Sequence, residues 1–267
     1  MIDLTAEYKI LQLRYDMLKK EFPELYTQKN DMLSSEEPVL TAIYLTLLGQ
    51  KQHQKFCLTI DIKMIMQRIS LFQAYFNRNE LPDVGLIDEK MKNQFADYQH
   101  KIAIEANRIA LAKKLLKEEF LSETQVKKLK EIYRVIVKKL HPDINPGVTE
   151  HDKDLFAKAQ AAYDLCDLSA LEAILLTLDM NTTTVIDPID LKVQVATLEI
   201  HVQKLKDTIA KLETQFPFTY REKLADEAWI AEAQKLLDAE IEALNIEKKK
   251  YSEYILLLEE WKPELLS

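Results

Sequence analysis

His141, Pro142 and Asp143 stand in succession at the end of a segment that is basic on one face and apolar on another. An imidazole and a carboxylate this close could do several kinds of chemistry. Nucleophilic catalysis needs the two to face each other beside a nucleophile. With proline between them they cannot easily fold back on one another, and no nucleophile follows at a known spacing. A metal site needs more ligands. His151 lies across a loop, the only cysteines are Cys57 and Cys166, and no Cys-x-x-Cys occurs, so no metal is expected. Recognition is the chemistry that fits: an exposed aspartate at a rigid tip accepts a bidentate hydrogen bond from a partner's arginine. The plain alternative is a turn, since proline ends helices and aspartate favours turns.

The elements around the triplet decide how it is presented. Ser122 and Gln125 have capping-box spacing, and Leu121 and Val126 that of a hydrophobic staple, so a helix should start at Glu123. Val126, Leu129, Tyr133, Ile136 and Leu140 recur at helical spacing as its buried face. Lys127, Lys130, Arg134 and Lys138 stack on another face, flanked by Lys128 and Lys139. Pro142 disfavours continuation at His141. Ile144-Asn145-Pro146-Gly147 is a loop signal. Thr149 and Asp152 form a second capping box, opening a helix whose inner face would hold Leu155, Phe156, Ala159, Ala162, Tyr163 and Cys166. The pattern predicts an antiparallel helical hairpin with the triplet at its tip, in solvent. The lysine and arginine stripe beside it would attract an acidic surface.

Residues 121–170 resemble the J domain of DnaJ-type co-chaperones. Tyr133 lies eight residues before His141, Arg134 follows it, and Lys139 stands two residues before the histidine, as in that family. Phe156 and the pair Ala162-Tyr163 match the family's following helix. The family's first helix, with its Tyr-Tyr-x-x-Leu-Gly opening, and its later Gln-Lys-Arg segment are missing, as are its Gly/Phe-rich linker and Cys-rich zinc module. The resemblance implies a partner, a DnaK-type chaperone ATPase, whose ATP hydrolysis the chain would stimulate. It implies that Asp143 engages a partner arginine, that Pro142 sets the loop and His141 orients it, and that Lys127, Lys130, Arg134, Lys138 and Lys139 dock on the ATPase. A client protein would be selected by the helices outside the hairpin. A scaffold of coiled coils with a hairpin that stimulates nothing is the alternative.

The rest of the chain narrows the class. Only three glycines occur among 267 residues, with 47% apolar and 30% charged residues, which predicts an all-α protein with few tight turns. The net charge of −8 disfavours nucleic acid as a partner, although Glu123–Leu140 holds six basic and two acidic residues. No paired acid and base, phosphate-binding glycine loop or metal spacing is present, so neither an enzyme nor a cofactor is expected. Two unpaired cysteines suit a reducing, cytoplasmic compartment. Met1-Ile2-Asp3-Leu4 carries no basic or long apolar run, so no signal peptide is expected, and no membrane span is expected either.

Four segments are expected: an N-terminal helical region over 1–85, a long connecting helix over 86–120, the J-like domain over 121–180 and a coiled-coil hairpin over 188–267. In the first, residues 3–30 read as an amphipathic helix, Ser34-Ser35-Glu36-Glu37-Pro38 as a helix start, and 50–77 as a further helix. Phe56–Ile65 alternates, but Leu58, Ile62, Ile65, Ile69, Phe72 and Phe76 keep helical rhythm for longer. Ser169 and Glu172 again have capping-box spacing. Asn181–Asp187 reads as a linker. From Leu191 to Phe216 a heptad stripe runs without interruption, Pro217 breaks it, and Leu237, Ile241, Leu244, Tyr251, Ile255 and Leu258 carry a second stripe. The simplest fold for this arm is an antiparallel helical hairpin. An intermolecular coiled coil, giving a homodimer, is the competing arrangement.

Overall fold

A computed structural model describes residues 4–117, 121–178 and 188–260. Among the described residues there are helices and no strands. The long helices are α1 (Leu4–Asp31), α2 (Glu37–Tyr44), α3 (Gln50–Phe76), α4 (Val84–Leu115), α5 (Glu123–Leu140), α6 (Glu150–Asp164), α7 (Leu168–Thr177), α8 (Pro188–Glu213) and α9 (Glu227–Glu260). The expected linker at 181–187 and the end of the expected 86–120 helix, at 118–120, lie outside the described residues, as do Met1, Ile2 and Asp3.

Two compact units interleave along the chain and cut across the four consecutive segments expected from the sequence. One comprises Met1–Val39 and Glu119–Thr219, the other Leu40–Glu118 and Tyr220–Ser267. In the first, α1 packs along α8 and over the α5–α6–α7 cluster. Arg14 meets Glu199 and Glu21 meets Lys206, each at 2.6 Å, so the numbers rise together and α1 and α8 run parallel. Between the two helices Tyr15, Leu18 and Phe22 of α1 join Leu191, Val195, Leu198 and Val202 of α8 in one core with the hairpin's inner face. In the second unit α9 runs parallel to α3, with Lys55–Glu240 at 2.7 Å and Asp61–Lys248 at 2.6 Å. There α4 covers α3 from another side.

The expected C-terminal hairpin is therefore corrected. Leu191, Val195, Leu198, Val202 and Ile209 of the first stripe and Ile241 and Ile255 of the second are buried, Phe216 is exposed, and α8 lies against α1 while α9 lies against α3. A heptad stripe shows that a helix face needs a partner and leaves the partner's identity open. The expected helix start at Ser34–Pro38 is also corrected. The backbone stays helical through Asp31 (φ −56°, ψ −46°) and Glu37 (φ −56°, ψ −50°). Met32–Glu36 widens into a π-helical turn, so the helix takes in Pro38 by a local change of hydrogen-bond register. The alternation at Leu58, Ile60 and Ile62 has a simple origin. All three are buried, because α3 is covered on more than one side.

Candidate functional site

The hairpin forms as its caps dictate. The Ser122 backbone N–H donates to Gln125 Oε1 at 3.0 Å, and the Gln125 N–H donates back to Ser122 Oγ at 3.4 Å. Thr149 and Asp152 exchange the same two bonds at 2.9 and 3.2 Å. Between them, α5 and α6 run antiparallel, with Tyr133 stacked on Tyr163 at 4.0 Å and His141 against Phe156 at 5.1 Å. Two details of the far end differ from expectation. Cys166 lies beyond α6, is exposed, and takes a left-handed φ of 55°. The Asp167 N–H then reaches back to the Ala162 carbonyl at 2.8 Å, a Schellman closure that turns Cys166 away from the inner face. The next helix is capped by Asp167, which accepts from the Ala170 N–H at 3.0 Å, rather than by Ser169. Glu172 instead pairs with Lys128.

The triplet is split between core and solvent, which corrects the expectation that all of it lies in solvent. Pro142 and Asp143 are exposed, but His141 is only 7% exposed. Its ring sits edge-on to Phe22 at 4.8 Å and Tyr26 at 4.6 Å from α1, and to Phe156 of α6. Its Nδ1 accepts the Asp143 backbone N–H at 3.1 Å, so that nitrogen carries no proton and the neutral ring holds its own proton on Nε2. Burial pushes the His141 pKa down to about 4. Lys29 and His201 act in the same direction, and Asp143 opposes them.

The loop after His141 is pinned at several points. The His141 carbonyl accepts from the Ile144 and Asn145 backbone N–H groups at 3.2 and 3.0 Å. Ile144 is buried, and the Asn145 side chain donates to the Lys138 carbonyl at 2.8 Å, closing the C-terminus of α5. Lys19 of α1 donates to Asn145 Oδ1 at 3.3 Å. The result is a fixed frame that holds one carboxylate outward. Asp143 has a neighbour from α8, with Oδ2 lying 3.3 Å from His201 Nδ1.

The basic stripe is likewise divided. Lys127, Arg134 and Lys138 are exposed, and Lys139 is half-buried. Lys130 turns inward to Asp31 of α1 at 2.8 Å. Asp31 also accepts from the Tyr163 hydroxyl, while the Tyr133 hydroxyl accepts from Asn30 at 3.1 Å. Burial raises the pKa of both tyrosines, so they remain neutral donors and acceptors in this network. A shallow groove of about 420 Å³ runs along the stripe, with an apolar floor at Leu121 and Val126 and rims at Lys127, Lys130, Glu131 and Arg134. Phe22, Tyr26, Asp31 and His201 are the residues that sequence reasoning missed here. Each lies too far along the chain for local spacing to link it to the triplet.

Among the described residues, no group of three or more His, Cys, Asp or Glu side chains could hold a metal, and no helix is long and apolar enough to cross a membrane. No protein-family model, curated protein or solved structure matches this chain.

Proposed function

We propose that this chain is a co-chaperone of the J-domain type, docking through α5 and the loop after it on a DnaK-type chaperone ATPase and speeding its ATP hydrolysis. The observation that carries the reading is the split of the triplet. His141 locks the loop into the core while Asp143 is held outward past the end of the helix that carries exposed Lys127, Arg134 and Lys138. A carboxylate fixed in this way accepts an arginine fork without first being ordered, and the cations steer an acidic partner into reach. The resemblance of 121–170 to the J domain names the partner class. Where that family's first helix is missing, α1 contributes Leu18 and Phe22 to the hairpin's core.

Client binding falls to the paired helices, where Ile10, Leu13 and Met17 of α1 and Ile200 of α8 are exposed. A cytoplasmic setting suits the free thiols of Cys57 and Cys166. The competing reading, a coiled-coil scaffold without stimulation, is favoured by the engagement of Lys130 with Asp31. Single-turnover ATP hydrolysis by a DnaK-type protein, with and without this chain, separates the two: faster turnover supports the co-chaperone, and an unchanged rate the scaffold.

A further inference from the structure

We infer that His201 of α8 is a latch on the triplet, an autoinhibitory contact that a docking partner must displace from Asp143. The inference rests on the reading of Asp143 as the docking carboxylate. It comes from the position of one side chain. His201 Nδ1 lies 3.3 Å from Asp143 Oδ2, within ion-pair distance whenever the imidazole carries a proton. That nitrogen is enclosed and makes no hydrogen bond, so the contact is one of proximity and occupancy.

The helix that carries His201 is firmly seated. Leu198 and Val202, on either side of it in sequence, are buried against α1. The Arg14–Glu199 and Glu21–Lys206 pairs bracket it, each at 2.6 Å. His201 is therefore delivered to Asp143 by the packing of α8.

The chemistry of docking makes this position consequential. A guanidinium fork makes two parallel hydrogen bonds and needs both carboxylate oxygens. In the resting chain one of them faces His201. An approaching arginine meets the other oxygen first and completes the fork only after the imidazole has moved aside. The Asp143 side chain remains 40% exposed, so the latch weakens docking without closing the site. Exposed side-chain pairs at this separation shift an equilibrium by no more than about two- to five-fold.

The test uses the full chain with His201→Ala, and with His201→Gln as a second variant that keeps a polar side chain of similar length. Two quantities are read: the concentration of chain giving half-maximal stimulation of a DnaK-type ATPase, and the 13C resonance of the Asp143 carboxylate in the free chain. The latch predicts that the resonance moves in both variants, that half-maximal stimulation needs about two- to five-fold less chain, and that the maximal rate is unchanged. A resonance that stays in place means the contact is absent in solution and overturns the latch. A resonance that moves while wild type and variants stimulate equally also overturns it, and leaves the co-chaperone reading standing. If neither wild type nor variants stimulate, the co-chaperone reading fails and the latch falls with it.

Discussion

At the residue scale, His141 works as a structural member of a motif that sequence reading treats as a surface feature. Its ring is caged by Phe22, Tyr26 and Phe156, and its neutral form is the one that accepts the Asp143 N–H. A histidine whose folded pKa is depressed binds its proton more readily in the unfolded chain. Its contribution is therefore full above the ordinary value of 6.5 and is lost as pH falls from there towards about 4. The full loss is about 3 kcal/mol by linkage. Urea unfolding between pH 7.5 and 4.5 should show this component in wild type and lack it in His141→Asn; parallel curves for the two would contradict the burial of a neutral ring. The triplet itself was legible because it is contiguous. The cage was not, because Phe22 and Tyr26 lie more than a hundred residues upstream and carry no local signature of what they face.

At the element scale, caps and stripes were readable and pairings were not. Ser122 and Thr149 start α5 and α6 where their spacing says, because a capping box is satisfied within four residues. The stripe from Leu191 to Val202 is buried as read, but its partner is α1, whose Tyr8, Leu11, Tyr15, Leu18, Phe22 and Leu25 carry a stripe of the same rhythm. Leu198 is 1% exposed in that seam, so Leu198→Asp should cost more than about 3 kcal/mol and unfold the first unit, read as a fall in the denaturant midpoint. A stability within about 1 kcal/mol of wild type would mean that α8 is not packed as described. The two ends of the basic stripe should also behave differently. Arg134→Glu removes an exposed cation, so it should slow association with the ATPase and flatten the salt dependence of binding while leaving the melting temperature near that of wild type. Lys130→Glu sets a second carboxylate against Asp31, so it should destabilise the fold by about 1 kcal/mol. Equal effects of the two variants on melting would remove this distinction.

At the scale of the whole molecule, the all-α class followed from composition, three glycines being too few for a chain of many tight turns. The interleaving of the units did not. It arises because helices 185 to 187 residues apart pair in parallel, Arg14 with Glu199 in one unit and Asp61 with Lys248 in the other. Sequence separation of that size leaves no trace in local periodicity. The parallel pairs place α1 and α8 in one unit with the hairpin, so that α1 supplies its core and α8 brings His201 to Asp143. The central claim is that this assembly presents Asp143 to a chaperone ATPase. Single-turnover ATP hydrolysis by a DnaK-type protein tests it most directly, comparing wild type with Asp143→Asn, a change that keeps the side chain's size and removes its charge. The account predicts that wild type accelerates hydrolysis and that Asp143→Asn does not, while circular dichroism and melting of the two chains agree. Full stimulation by Asp143→Asn, or none by wild type, would contradict it.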